Sequence, residues 1–293
     1  MTTTGTANRV DTASTGFPEC AASVERLAAW LAARFRVAAI TGAGVSTGSG
    51  IPDYRDGDGN WKRSPPVQYR DFVESGAVRR RYWARSFAGW PMFAAARPST
   101  AHMALARLES TGRIGQIVTQ NVDRLHQRAG SRNVIDLHGR LDVVRCLAND
   151  HRFDRDAFQA RLRDANPGWD VSPARIAPDG DADLEGIDFG AFNVPACEIC
   201  GGMLKPDVVF YGESVPRETT AAALAAVESA DGVLVAGSSL MVWSSFRLVR
   251  TAAARGIEVV AINRGRTRGD GLFAFKLDRE CGAVLAAVAA DAR

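Results

Sequence analysis

Short apolar runs recur along this chain, and each of them ends in polar or glycine-rich residues. The runs span Val37–Ile40, Ile114–Val118, Val134–Leu137, Val208–Tyr211, Val233–Ala236 and Val259–Ile262. Runs of this length and composition are typical of strands that are buried on both faces of a parallel sheet. Helical patterns separate several of the runs, so the sequence predicts an α/β fold with a doubly wound parallel sheet.

The helical patterns repeat apolar residues three or four positions apart. They predict one helix that begins after Ser23, a residue that suits an N-cap. They also predict two further helices, which cover Thr219–Ala230 and Ser245–Arg255. In a Rossmann-like sheet of this kind, ligands bind beyond the carboxyl ends of the strands. Candidate ligand-binding residues come directly after the apolar runs, namely Gly42, Gln120, Asn121, His138, Gly237 and Asn263.

Composition excludes several classes of protein. The chain has 293 residues, of which 46% are hydrophobic and 24% charged, so it can bury a sizeable core without disulfides. A net charge of +3 is too small to indicate nucleic-acid binding. No apolar run approaches the roughly 20 residues that span a bilayer, and residues 1–16 lack the hydrophobic stretch of a signal peptide. We expect a cytoplasmic protein without nucleic-acid or membrane partners, whose oligomeric state is open and includes the monomer.

Two segments interrupt the alternation of strands and helices. About residues 62–107, many aromatic side chains recur at helical spacing, which predicts a small helical module. About residues 142–206, the chain is polar and rich in Pro, Gly and Asp, and it contains three of the five cysteines. This composition predicts an inserted module with little core of its own. We expect one domain over residues 21–293 that carries both modules, after a disordered tail over residues 1–20.

A glycine-rich turn follows the first apolar run. Gly42, Ala43 and Gly44 would let the backbone approach a pyrophosphate and point N–H groups at it. The turn departs from the dinucleotide pattern GxGxxG, because Thr47 holds the third glycine position and Gly48 comes one residue later. By itself, this turn fits phosphate binding and a purely steric need for glycine about equally well.

The segment from Thr41 to Asp56 reads TGAGVSTGSGIPDYRD and resembles the first loop of the sirtuins. Later motifs resemble the same family in order and spacing. They are Thr119–His126 (TQNVDRLH), Leu137–Gly139 (LHG), Lys205–Glu213 (KPDVVFYGE) and Gly237–Leu240 (GSSL), together with Asn263 and Cys281. The resemblance runs from about Ser23 to the C-terminus, with Asp136 in place of the family's glutamate before LHG. The class II branch is the most similar, through Tyr82–Arg85 (YWAR), Ala177–Asp181 (APDGD) and the long insertion.

This resemblance implies that residues 21–293 form a catalytic domain that consumes NAD to remove acyl groups from lysine side chains of partner proteins. In sirtuins, the acyl oxygen attacks the anomeric carbon as nicotinamide leaves, and a base then activates a ribose hydroxyl that carries off the acyl group. His138 is predicted to be this base, because histidine titrates near neutral pH, and Asn121 is predicted to share in catalysis.

Two other functions stay open for the same residues. Mono-ADP-ribosyl transfer to proteins begins by breaking the same glycosidic bond. Non-catalytic NAD binding predicts a lost base or a broken nicotinamide pocket, and the presence of His138, Asn121 and Asp123 disfavours it.

The resemblance also implies a set of NAD contacts. Ile51, Asp53, Asn121 and Asp123 are predicted to hold nicotinamide, and Gln120 to contact the ribose. The full predicted set is Gly42, Ala43, Gly44, Ser46, Ile51, Pro52, Asp53, Tyr54, Arg55, Gln120, Asn121, Val122, Asp123, Gly237, Ser238, Ser239, Asn263, Arg264, Gly265 and Cys281.

Tyr82 and Arg85 lie about one turn apart on a predicted helix. Desuccinylating sirtuins use such a pair to hold an acyl carboxylate, which would imply a preference for acidic or branched acyl groups over acetyl. The alternative is a packed aromatic ring beside a surface arginine.

Sirtuins hold a structural zinc ion on two CxxC pairs, and this chain lacks one of the four cysteines. The candidate thiolate ligands are Cys146, Cys197 and Cys200. Asn149 stands where the fourth cysteine belongs, and an amide is a poor zinc ligand. Asp150 or His151 is a candidate replacement. Otherwise three thiolates would bind zinc more weakly, or the module would fold without metal.

Overall fold

The computed structural model describes residues 16–62, 66–169, 176–182, 184 and 186–291. Its first helix covers Gly16–Ala32, so it begins inside the predicted tail and before the predicted N-cap Ser23. Both predictions are wrong on this point, because Ala21 and Ala22 are strong helix formers that continue the helix through Ser23. The remaining tail residues 1–15 lie outside the described residues.

The strands alternate with helices along most of the chain. In chain order the strands are β1 (Val37–Thr41), β2 (Ile114–Thr119), β3 (Val134–Asp136), β4 (Gly139–Cys146), β5 (Arg152–Asp154), β6 (Leu204–Val208), β7 (Gly232–Ala236), β8 (Val259–Ile262) and β9 (Phe275–Leu277). The helices are α1 (Gly16–Ala32), α2 (Tyr69–Glu74), α3 (Gly76–Ala95), α4 (Thr100–Ser110), α5 (Leu125–Arg128), α6 (Arg155–Ala165), α7 (Arg217–Glu228), α8 (Trp243–Ala254) and α9 (Cys281–Asp291). None of the described helices is long and apolar enough to cross a membrane.

The large sheet has six strands in the order β3-β2-β1-β7-β8-β9, and every pair in it is parallel. This arrangement confirms the predicted doubly wound fold. The strand order reverses direction at β1, so β2 and β7 flank β1 and their carboxyl ends open a crevice where ligands bind in such sheets.

Helices cover both faces of the large sheet. In β1, Val37 and Ala39 face a core with α1, α4 and α9, whereas Ala38 and Ile40 face α7 and α8. All five residues of β1 are buried, as the continuous apolar run predicts for a central parallel strand. The sheet therefore holds the ends of β1, β2 and β7 in fixed positions.

One predicted parallel strand is wrong. The run Val208–Tyr211 does not join the large sheet, because β6 ends at Val208 and pairs with β4 in a separate three-stranded antiparallel sheet, β5-β4-β6. Phe210 instead packs edge-on against Phe72 and contacts Tyr82. The sixth strand of the large sheet is β9, which the sequence patterns did not predict.

The helical module and the insertion share one core. Phe72 and Trp83 from α2 and α3 pack with Phe158 and Leu162 from α6, and the rings of Trp83 and Phe158 are 4.8 Å apart. The insertion was predicted to have little core of its own, and its apolar side chains indeed pack with those of the helical module in a single cluster. Helix α4, at the end of the predicted module, packs in the large core instead.

Candidate active site

A cavity of about 750 Å³ opens at the carboxyl ends of β1, β2 and β7. Most of the predicted site residues line it, although they are far apart in the sequence. Those on its wall are Gly42, Ala43, Gly44, Asp53, Tyr54, Arg55, Gln120, Asn121, Val122, His138, Gly237, Ser238, Ser239, Asn263 and Arg264. The cavity also has the size of a typical small-molecule site.

The first loop is held against the β7 loop by a close approach of two backbones. The Gly44 N–H donates to the Gly237 carbonyl oxygen over 2.9 Å. A Cβ atom on Gly44 would lie 2.7 Å from the Gly237 Cα atom, and Gly237 itself has a φ of +60°. Glycine is therefore required at both positions, because a side chain on either would separate the loops.

Asn121 anchors the floor of the cavity. Its Nδ2 donates to the Gly42 carbonyl oxygen at 3.0 Å and to the Ser46 hydroxyl at 2.9 Å. The Ser46 hydroxyl in turn donates to Asp123 at 2.6 Å, and the Leu125 N–H donates to the same carboxyl group at 2.9 Å. Burial raises the pKa of Asp123, while these hydrogen bonds oppose the rise. The network fixes the amide of Asn121 with respect to the first loop.

Gln120 ties the three central strand ends together. Its Nε2 donates to the Thr41 carbonyl oxygen at 3.1 Å and to the Ser238 hydroxyl at 2.7 Å. Thr41 ends β1, Gln120 follows β2 and Ser238 follows β7. The side chain thus links the loops whose polar groups face the cavity.

His138 follows β3 with both ring nitrogens engaged. Its Nδ1 lies 3.2 Å from the Gln120 carbonyl oxygen, and its Nε2 lies 2.7 Å from the Ser244 hydroxyl. Burial lowers the pKa of His138 to about 4, although the bond to Gln120 opposes this effect. The imidazole is therefore neutral at pH 7, which is the form that can accept a proton.

A group of predicted NAD contacts lies away from the cavity wall. These residues are Ser46, Ile51, Pro52, Asp123, Gly265 and Cys281. Some support the wall from behind: Ile51 packs with Val122 and Leu125, and the Cys281 thiol donates to the Gly44 carbonyl oxygen at 3.3 Å. Their roles toward NAD stay predictions.

The end of the first loop is held by charged and aromatic contacts. Arg55 lies over the Trp61 ring, 3.9 Å from its centroid, and donates to the Gly59 carbonyl oxygen at 2.7 Å. Asp53 pairs with Lys62 at 2.5 Å. Both pairs are half-buried or exposed, so a bound substrate can rearrange them at a low cost in free energy.

The structure does not bring Tyr82 and Arg85 together as a free binding pair. Tyr82 is only 3% exposed, and its ring packs among aromatic side chains. Arg85 lines a second cavity of about 420 Å³, where its Nε donates to the Ala182 carbonyl oxygen at 2.8 Å and lies 4.0 Å from Asp181. The geometry therefore favours the alternative, in which Tyr82 is a packed ring and Arg85 already has partners.

Four metal-binding side chains converge in the insertion. The ligand atoms of Cys146, His151, Cys197 and Cys200 all lie within 4.8 Å of one another. The Sγ atoms of Cys146 and Cys200 are 3.5 Å apart, and His151 Nδ1 lies 3.4 Å from Cys197 Sγ. Sulfurs bound at about 2.3 Å to a tetrahedral zinc ion are about 3.8 Å apart, so the donor set and its spacing fit zinc.

A tight turn selects His151 over its neighbours. Asp150 has a positive φ of 54°, and the Cys146 N–H donates to the His151 carbonyl oxygen at 2.8 Å. The Asp150 carboxylate faces outward and pairs with Arg145 at 2.8 Å and with Arg152 at 3.5 Å. Asn149 instead forms a side-chain hydrogen bond to Cys200, which lowers the pKa of that thiol to about 6.

Several residues on the cavity wall were not among the predicted site residues. Val209–Val215 and Met241–Ser244 line it, and only the first of these segments overlaps a recognised motif. Ser244 contacts His138 directly. A single serine directly before a predicted helix carries no signal that would have identified it.

Comparison with known proteins identifies the family. The Sir2 family model matches residues 42–244. The chain belongs to the Sir2 family, the sirtuins. A Bordetella bronchiseptica protein named NAD-dependent protein deacetylase is 56% identical over 265 residues, which cover 90% of this chain and 97% of that protein. The Drosophila melanogaster NAD-dependent protein deacylase Sirt4 is 47% identical over 265 residues, which cover 89% of this chain and 85% of the Drosophila protein.

Solved structures of Sir2 enzymes have the same fold. One, described as bearing on the mechanism and regulation of Sir2 enzymes, has a TM-score of 0.73 at 30% identity and covers 92% of this chain and 97% of its own. A Sir2 structure described with a p53 peptide and NAD+ has a TM-score of 0.74 at 28% identity, covering 89% and 95%. Both the family and the Rossmann-like fold predicted from the sequence are confirmed.

Proposed function

We propose that this sirtuin is an NAD-dependent protein-lysine deacylase, which releases nicotinamide and O-acyl-ADP-ribose. The observation that carries the proposal is the neutral His138 on the wall of the cavity, with Nε2 in position to receive a proton. Relatives that are named NAD-dependent protein deacetylases or deacylases support it. The role of the base is to accept the charge of the proton that a ribose hydroxyl releases as its oxygen attacks the acyl carbon.

The wall of the cavity supports one orientation of NAD. Asn121 would bind the nicotinamide carboxamide, held in place through Ser46 and Asp123. Gly42–Gly44 offer backbone N–H groups and small residues that suit the pyrophosphate. Gln120 and Ser238 would contact the nearby ribose, and the adenosine half would lie toward Ser239, Asn263 and Arg264.

Product analysis tests this reaction. Wild-type protein is incubated with NAD and an acetyl-lysine peptide, and the products are identified by mass spectrometry. We expect deacylated peptide and O-acyl-ADP-ribose in equal amounts. Protein that carries ADP-ribose, with no O-acyl-ADP-ribose formed, would instead identify mono-ADP-ribosyl transfer, which starts from the same bond cleavage.

A panel of acetyl-, succinyl- and glutaryl-lysine peptides measures the acyl preference. The engaged partners of Arg85 favour uncharged acyl groups, because a substrate carboxylate would meet Asp181 beside the arginine. We expect acetyl-lysine to react faster than succinyl-lysine. A faster reaction with succinyl-lysine would support the prediction that Tyr82 and Arg85 hold an acyl carboxylate.

The insertion would hold one structural zinc ion on Cys146, His151, Cys197 and Cys200. Zinc there would link the two ends of the insertion, and none of the described residues around it points to activation of a water molecule. His151→Ala should lower the metal content well below the about one zinc per chain expected of the wild type. Asp150→Ala is the matched control and should retain it, because its carboxylate faces two arginines. Full zinc content in the His151 variant would contradict the ligand set.

A cytoplasmic location and the division into a tail, a catalytic domain and two modules are also part of this proposal. Cell fractionation and limited proteolysis test them. Proteolysis is expected to leave the helical module and the insertion together, because they share a core.

A further inference from the structure

The hydrogen bonds of His138 fix which nitrogen carries the proton. The Gln120 carbonyl oxygen, 3.2 Å from Nδ1, can only accept, so Nδ1 donates to it. In the neutral ring, Nε2 then has a lone pair and no proton. The Ser244 hydroxyl, 2.7 Å away, must therefore donate to Nε2. The lone pair that a catalytic base needs is thus already occupied by a serine of the same chain.

The Ser244 hydroxyl does not cap the helix in which it lies. Helix α8 begins at Trp243 and its N-cap is Val242, which makes no side-chain cap. The next residue, Ser245, is buried and donates to the Val242 carbonyl oxygen at 3.0 Å. Ser244 instead lines the cavity, and its oxygen keeps lone pairs that can accept a further hydrogen bond.

We propose that Ser244 relays the proton from the ribose hydroxyl to His138 in the deacylation step. This inference rests on the proposed deacylase function. As the ribose oxygen bonds to the acyl carbon, its O–H bond breaks and the proton passes to Ser244 Oγ. The Ser244 proton passes at the same time to His138 Nε2, so serine ends unchanged and the ring becomes an imidazolium. The π electrons of the acyl carbon move onto the nitrogen of the former amide.

The Gln120 carbonyl oxygen accepts from Nδ1 before and after this transfer, so the ring need not turn. Burial keeps His138 neutral before the reaction, as its lowered pKa of about 4 indicates. A serine between base and substrate also allows the ribose hydroxyl to bind without displacing the partner of Nε2.

Two assays separate the step that uses the relay from the step that does not. Exchange of labelled nicotinamide into NAD requires only cleavage and reformation of the glycosidic bond. O-acyl-ADP-ribose formation requires the base as well. Ser244→Ala should lower O-acyl-ADP-ribose formation about 10- to 100-fold and leave nicotinamide exchange within about twofold of the wild type. Ser244→Thr, which keeps a hydroxyl, should restore most of the lost rate.

Ser245→Ala is the matched control, since it removes a hydroxyl from the same turn without contact to His138. It should leave both rates near the wild type. The double variant Ser244→Ala with His138→Ala should be no slower than His138→Ala alone, because the two groups act in one transfer. Wild-type rates of O-acyl-ADP-ribose formation in Ser244→Ala, or an equal loss of both reactions, would overturn the relay. Absence of O-acyl-ADP-ribose with the wild type would instead refute the proposed function on which it rests.

Discussion

Gly237→Ala tests whether the contact between the first loop and the β7 loop depends on two glycine backbones. Gly237 has a φ of +60°, where an alanine costs roughly 1–2 kcal/mol. Its new Cβ would also lie 2.6 Å from the Val45 nitrogen and 2.7 Å from the Gly44 carbonyl carbon. Overpacking of this kind costs about 1–3 kcal/mol, so we expect a total loss of about 2–5 kcal/mol.

Gly256→Ala is the control for this substitution. Gly256 has a φ of +73°, and a Cβ there would have no heavy atom within 4 Å, so only the backbone cost of roughly 1–2 kcal/mol applies. Urea unfolding measures the free energy of each variant, and calorimetry measures NAD affinity. Gly237→Ala should be the less stable by about 1–3 kcal/mol and should bind NAD at least about tenfold more weakly. Equal stability and unchanged NAD affinity would refute the close-approach reasoning.

Three further predictions concern the core, the network and the base. Trp83→Ala removes a side chain that is fully buried between the modules and should destabilise the protein by about 3–5 kcal/mol in urea unfolding, with a smaller loss contradicting the shared core. Asn121→Ala should raise the KM for NAD and slow nicotinamide exchange, whereas unchanged exchange would argue against its place in the nicotinamide pocket. Because burial lowers the pKa of His138 to about 4, its neutral form persists as the pH falls through 6.5, so the acid limb of kcat/KM should lie below pH 6.5. A limb at 6.5 or above, in protein that is still folded, would contradict this assignment.

The sheet was predictable because its signal is strong and local. Each residue of β1 is buried, and a run of this kind needs a strand on either side and helices on both faces. The run Val208–Tyr211 has the same apolar character but packs on Phe72 and Tyr82. An apolar run shows that a segment is buried, and it does not show whether a sheet or a group of aromatic rings covers it.

The site was predictable where several residues form one motif, and much less so where a single residue acts alone. Gln120 and Asn121 could be placed because they follow a strand in a recognisable order. His151 was only one of two candidates, because the choice depends on the positive φ of Asp150 and on the outward direction of its carboxylate. Ser244 could not be found from sequence, since its contact with His138 spans 106 residues.

The role of His138 is tested by the effect of His138→Ala on the two partial reactions, measured with an acetyl-lysine peptide and NAD. We expect O-acyl-ADP-ribose formation to fall by about 100-fold or more, as for loss of a general base, while labelled nicotinamide still exchanges into NAD. O-acyl-ADP-ribose formation at the wild-type rate would contradict the role of His138 as the base.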